Sequence, residues 1–213
     1  MIGQLLVILA LIMTSCWASF AQAQSLQALI GESMEECHLG RVEQDRTMRL
    51  RHFENGQRLG EKAVALDDQE AEGHFAVFCN LGEAMRVDGE LSISSVMSFR
   101  YLMSELDRTL ELNPNHLDAL SSRGTLLVRM PFFMGGNRDK GEQLLRYVIE
   151  KEPESINARL SLAKSYANHG RHQDALSLAS EALALAHAQQ REDFIPEATK
   201  FVTQLRTTAN KAN

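Results

Sequence analysis

Two short helix-breaking segments divide the second half of this sequence into units of similar design. Each holds a proline between polar residues, and the two prolines, Pro114 and Pro153, lie 39 residues apart. Around them apolar residues recur at intervals of three and four, which is typical of one face of an α-helix, and long alternating runs are absent. A period in the mid-thirties to forties with two helices per unit predicts an all-α chain of antiparallel helical hairpins.

The unit at residues 156–186 has the clearest repeat pattern. Small residues stand where two helices would approach closely, and large residues stand beside them. The positions that carry the pattern are Arg159, Leu162, Ala163, Tyr166, Gly170, Ala175 and Ala182. In these positions the chain resembles the tetratricopeptide-repeat (TPR) family. The resemblance implies a right-handed helical-hairpin solenoid, in which each helix pair stacks on the next.

Weaker units extend this resemblance over most of the chain. Three to four repeats are expected, the first of them degenerate, and a helix with a polar outer face closes the array. The predicted ranges are a signal peptide at 1–23, a linker at 24–32 and a TPR-like helical domain at 33–210, with repeats at about 33–68, 71–114, 117–153 and 156–187 and a capping helix at about 194–207.

The first 23 residues carry no charged side chain and include a nine-residue apolar run at 5–13. Small and polar residues follow and end in an Ala-Gln-Ala sequence, the pattern of a secretory signal peptide cleaved after Ala23. A transmembrane helix needs about 20 apolar residues, so this run is short for one. We expect an exported protein, with the periplasm as its compartment. Two alternatives stay open: an uncleaved membrane anchor, and an outer-membrane lipoprotein with its lipid on Cys16.

Cleavage after Ala23 leaves two cysteines, Cys37 and Cys79. In an oxidising compartment they could form a disulfide. Alternatively they are two buried small apolar side chains, since Cys79 lies in an apolar stretch.

Composition and motifs exclude several classes of function. Hydrophobic residues make up 44% of the chain and charged residues 23%, which is a globular rather than a disordered composition. The net charge of −6 argues against a nucleic-acid partner. Ser161 and Lys164 have the Ser-x-x-Lys spacing of a known enzyme class, but its companion motifs are missing. We therefore expect no catalysis, no cofactor and no metal site.

A protein without an enzyme motif acts through its surface. In stacked helical pairs, the first helix of each pair lines the concave side. Arg129 and Lys164 on this side could bind a carboxylate of a partner. The alternative is an ordinary solvated helix surface. The predicted face comprises Asp118, Ser121, Thr125 and Arg129 on one helix and Asn157, Leu160, Lys164 and Asn168 on the next.

The segment at 131–137 lengthens the turn inside the third predicted repeat. It holds Phe132, Phe133 and Met134, large apolar residues that either pack under the turn or form an exposed contact patch. In an exported TPR-like chain, this Pro-x-x-x-Gly-Gly-Asn segment is similar to the T component of tripartite ATP-independent periplasmic (TRAP) transporters. That resemblance implies an envelope protein that associates with a solute-binding partner and contains an internal cavity.

The predicted function is that of an exported, non-catalytic scaffold or adaptor that binds another envelope protein or a peptide through its concave helical face. The alternative is a small-ligand-binding periplasmic TPR protein associated with a transporter. Membrane association is expected only if Cys16 is lipidated or the signal peptide is retained.

Overall fold

The structure is a computed structural model that describes residues 24–88 and 93–212. The predicted signal peptide, its cleavage after Ala23 and the lipidation of Cys16 fall on residues 1–23, outside the described residues. Among the helices of the described ranges, none is long and apolar enough to span a membrane. The elements are α1 (24–42), α2 (Arg46–Leu66), α3 (Ala71–Asp88), α4 (Ile93–Leu112), α5 (Leu117–Arg129), a short 3₁₀ helix (Phe132–Met134), α6 (Arg138–Lys151), α7 (Ile156–Asn168), α8 (His172–Ala188) and α9 (Ile195–Ala212).

Within each compact unit of the chain, helices that follow each other pack together as hairpins. The chain divides after Leu112 into two compact units. In the first unit, α3 packs against both α2 and α4. In the second unit, each helix from α5 to α8 packs against the next one, and α5 also packs against α7. The predicted all-α arrangement of helical hairpins is confirmed.

Small residues let the helices of the second unit approach closely. Ala163 of α7 and Ala175 of α8 are buried in one core with Tyr166, as the repeat pattern predicts. The contact between α5 and α6 is also close: a Cβ atom added to Gly141 would lie 2.8 Å from the carbonyl oxygen of Gly124. The helices therefore bury apolar faces that none of them could bury alone.

The first helix begins earlier than the sequence predicts. Residues 24–32, expected to be a linker, are helical and belong to α1. Leu26 and Ile30 lie one helical turn apart and pack on Ala63 of α2. The linker prediction is therefore wrong. The apolar stripe of this segment is narrow, and such a helix gains most of its stability from packing rather than from local sequence.

Candidate partner-binding face

The face predicted to bind a partner lies on α5 and α7 of the second unit, and the structure places α9 beside α7. We call the surface of these three helices the first-helix face. Its helices are neighbours, because α5 packs directly on α7, and α7 shares two apolar clusters with α9. Its polar residues are Asp118, Thr125 and Arg129 of α5, Asn157, Lys164 and Asn168 of α7, and Glu197 of α9.

Three residues of the predicted face form hydrogen bonds between helices. The Asn157 side-chain amide donates to the Ser121 hydroxyl at 3.0 Å, and the hydroxyl groups of Thr125 and Ser161 are hydrogen-bonded at 2.8 Å. Each bond joins residues 36 positions apart, about one helical pair. Sequence reasoning missed the role of Ser161, and a search for polar residues one repeat apart could have found it.

Lys164 is only partly available to a partner. Its Nζ atom forms an ion pair with Oε1 of Glu197 on α9 at 2.5 Å, and the two side chains are 35% and 46% exposed. A surface pair of this kind stabilises by only about 0–1 kcal/mol, so a partner's carboxylate can compete with Glu197. Leu160, predicted on the same face, is instead buried with Ile156 against α8 and α9, because an apolar side chain gains free energy by leaving water.

Arg129 and Asp118 give the first-helix face two oppositely charged ends. Arg129 is the last residue of α5, is exposed, and forms no ion pair within the described residues. Asp118 is exposed in the first turn of the same helix. At 1.5 Å per residue, the two positions lie about 16 Å apart along the helix axis. Asn168 is exposed at the corresponding end of α7.

Further carboxylates lie near the Asp118 end. Burial raises the pKa of Glu152, which follows α6, and the negative charges of Asp118 and Glu154 raise it further. These interactions require the three carboxylates to lie close together. This end of the face therefore has several carboxylates, and the guanidinium of Arg191, paired with Asp193, lies near Asp118 as well.

The turn between α5 and α6 presents apolar side chains to solvent. Phe132 is 91% exposed, Phe133 85% and Met134 53%. The alternative in which they pack under the turn is therefore wrong, and the structure shows the exposed patch. We call residues 131–136 the aromatic turn.

Backbone hydrogen bonds hold the aromatic turn in place. The amide of Gly136 donates to the carbonyl of Pro131 at 3.0 Å, and the amide of Asn137 donates to the carbonyl of Leu127 in α5 at 2.9 Å. Gly135 has a φ of 92°, a left-handed conformation that glycine adopts without strain. The phenylalanines stay exposed because this bonding ties the turn to the end of α5.

In the first unit, the two cysteines that follow the predicted signal peptide are joined. Cys37 of α1 and Cys79 of α3 form a buried disulfide, with 6.4 Å between their Cα atoms. The structure thus shows the paired alternative. Beside the disulfide, the side-chain amide of Asn80 donates to the backbone carbonyl of Ser33 at 2.9 Å. Covalent and polar contacts therefore hold α1 and α3 together in one layer.

The described part of the chain contains no group of three or more histidine, cysteine or acidic side chains that could hold a metal ion. A cleft of about 560 Å³ on α1 and α2 is lined in part by Glu32, Glu35 and Glu36. The carboxylate of Glu36 is already bonded to His52 Nδ1 and to the side-chain amide of Asn55, both at 2.6 Å. With this acidic lining, the cleft is unsuited to an anionic ligand.

Comparison with known proteins gives the same fold. No family model and no curated protein matches the sequence. Among solved structures, the chain is similar to TTC0263, a thermophilic TPR protein of Thermus thermophilus, at 17% identity and a TM-score of 0.53, over 84% of this chain and 99% of that one. It also aligns with MamA AMB-1 at 16% identity and a TM-score of 0.48, over 89% of this chain and 93% of that one. A third alignment is with YrrB, a TPR protein with an unusual peptide-binding site, at 18% identity and a TM-score of 0.35, over 66% of this chain and 84% of that one.

The likeness to TTC0263 and the helical hairpins together define the class of this molecule. The chain is an all-α protein with the TPR fold.

Proposed function

We propose that the protein is a non-catalytic scaffold or adaptor that binds an extended peptide, or an extended segment of another envelope protein, along the first-helix face. The observation that carries the proposal is the pair of exposed, opposite charges at the ends of α5, with Arg129 unpaired within the described residues. Stacked helical pairs offer extended surfaces of this kind to partners.

The spacing of these charges selects the kind of ligand. An extended peptide rises about 3.3 Å per residue, so about five residues cover the roughly 16 Å from Asp118 to Arg129. The guanidinium of Arg129 suits a carboxylate, which it can bind through two parallel hydrogen bonds. A basic group at the other end of the peptide would meet Asp118 and the carboxylates beside it. Asn168 adds a neutral donor and acceptor near the carboxylate.

The same proposal places the protein in the periplasm after cleavage behind Ala23. The charge-free first 23 residues support export. The Cys37–Cys79 disulfide supports it as well, because such bonds persist in oxidising compartments. Attachment of a lipid to Cys16 would keep the protein at the outer membrane instead, and intact mass distinguishes the two forms.

A binding experiment with matched variants tests the face. The probe is a fluorescent six-residue peptide with lysine at its amino end and a free carboxylate at its other end. We expect Arg129→Ala to weaken binding about tenfold, since a hydrogen-bonded charge contributes about 1.5–3 kcal/mol when well shielded and less when exposed. Lys164→Ala should have a smaller effect, because Lys164 is already paired with Glu197.

The control is Arg206→Ala, which removes an exposed arginine from α9 of the same unit. Equal binding by wild type, Arg129→Ala and Arg206→Ala would refute the proposed face. Native mass spectrometry of the protein isolated from its own envelope complements this assay. A co-purifying polypeptide supports the adaptor, whereas a bound small molecule favours the transporter-associated alternative.

A further inference from the structure

The aromatic turn has an apolar surface that the proposed peptide binding does not use. Phe132 and Phe133 are the most exposed large hydrophobic residues that the structure describes, and Met134 adjoins them. Aromatic side chains present about 150–250 Å² each, so the three residues offer roughly 400–500 Å². A stable protein interface takes about 800 Å² from each partner. The patch is therefore small for a protein partner or a second copy of this chain, but it is large enough to enter a lipid interface.

The charges beside the aromatic turn point to the same kind of surface. Within residues 129–140 the chain has three basic side chains and one acidic side chain, all exposed: Arg129, Arg138, Lys140 and Asp139. Asp139 is paired with Arg138 at 2.9 Å. The positive charges of Arg129 and Lys140 remain, although the whole chain has a net charge of −6. An apolar tip flanked by basic residues is complementary to anionic lipid, in which apolar chains lie below negative headgroups.

We propose that the aromatic turn docks the protein onto the surface of an anionic membrane. Phe132 and Phe133 enter the layer between headgroups and acyl chains, and Arg129 and Lys140 bind headgroup phosphates. The turn is already ordered by its hydrogen bonds to Pro131 and Leu127, so docking costs little conformational entropy. The apolar part of this contact is separate from the first-helix face, whereas Arg129 is shared with the proposed peptide site. Docking requires no lipid on Cys16.

Vesicle flotation measures the docking directly. The protein is isolated from the envelope of the expressing cell, and its intact mass identifies the N-terminus. It is mixed with vesicles that contain phosphatidylglycerol or with vesicles of pure phosphatidylcholine. We expect Phe132→Ser/Phe133→Ser to lower partitioning onto both kinds of vesicle by about tenfold or more, since burial of each phenylalanine accounts for at least that factor.

Two further variants separate the apolar and the electrostatic contributions. Val96→Ser/Met97→Ser removes two exposed apolar side chains from α4, 61% and 66% exposed, and should leave partitioning within about twofold of wild type. Lys140→Gln should lower partitioning onto phosphatidylglycerol vesicles by about fivefold and leave phosphatidylcholine vesicles unaffected. Lys140 is chosen because Arg129 also belongs to the proposed peptide site.

A spectroscopic variant reports the turn itself. Phe132→Trp in a Trp17→Phe background places the chain's one tryptophan at the tip of the turn. Its emission should shift to the blue when vesicles are added, whether or not the N-terminal segment is retained. The proposal is overturned by equal partitioning of wild type and Phe132→Ser/Phe133→Ser, or by unshifted emission. It is also overturned by a concentration-dependent dimer that the double substitution abolishes, since a second copy would then cover the turn.

Discussion

Replacing Gly141 with alanine tests whether the close contact between α5 and α6 determines the stability of the second unit. The added methyl carbon would lie 2.8 Å from the carbonyl oxygen of Gly124 and 2.7 Å from Cγ1 of Val128. Ordinary contacts of a Cβ atom begin at 3.4 Å. The oxygen belongs to the backbone of α5 and cannot rotate away as a side chain can. The two helices must therefore separate by roughly half an ångström.

Two opposing effects determine how much Gly141→Ala changes the free energy of unfolding. Alanine favours the helix over glycine by about 1 kcal/mol in free energy of folding. Overpacking a closed core costs about 1–3 kcal/mol, and more where the backbone itself must move. We expect overpacking to dominate and to lower the free energy of unfolding by about 1–2 kcal/mol. For a chain of this length, that loss lowers Tm by about 2–8 °C.

Urea unfolding followed by far-ultraviolet circular dichroism gives the free energy directly. The matched control is Gly82→Ala in α3, where the nearest atom to an added Cβ is Cδ1 of Leu102 at an ordinary 3.4 Å. There the helix preference of alanine acts alone, and stability should stay the same or rise by up to about 1 kcal/mol. If Gly141→Ala were as stable as Gly82→Ala, the contact would not limit helix packing and the reasoning would be refuted.

Two other changes test the disulfide and the acidic end of the first-helix face. Cys37→Ser/Cys79→Ser should lower the free energy of unfolding by about 2–4 kcal/mol, because the bond closes a loop of 42 residues, and an unchanged urea midpoint under oxidising conditions would contradict this. The raised pKa of Glu152 means that its ionised form is disfavoured in the folded state, so stability is lost as pH rises from about 4.5 through the folded pKa. Glu152→Gln should therefore raise the thermal midpoint at neutral pH and reduce the rise of that midpoint on acidification. The same response from the nearby Glu150→Gln would disprove the assignment.

The helices themselves could be predicted because their signals are local. The breakers around Pro114, Pro153 and Gly170 and the apolar spacing between and after them were enough to predict α5 to α8, since a helix face is made by residues three and four apart. The wrong prediction of a linker at 24–32 also follows from this reliance on local signals. Its narrow stripe of Leu26 and Ile30 is a weak local signal, and the helix gains its stability from contact with α2.

The candidate site was harder to predict, because its contacts join residues about one repeat apart. Thr125 and Asn157 were expected to face a ligand, yet stacking of α5 on α7 uses both between the helices. Lys164 is only partly available to a partner for the same reason, because it forms an ion pair with Glu197. Arg129 stayed exposed at the end of its helix and forms no ion pair within the described residues.

By itself, the sequence determined an all-α chain of helical hairpins with small residues at the closest approaches, because both properties follow from periodicity within a few turns. Only the tertiary structure decided that Cys37 and Cys79 pair, which polar side chains bond between helices, and that Phe132 and Phe133 stay in solvent. Those outcomes depend on which distant segments come together when the hairpins pack, and on the backbone bonds that tie the aromatic turn to α5.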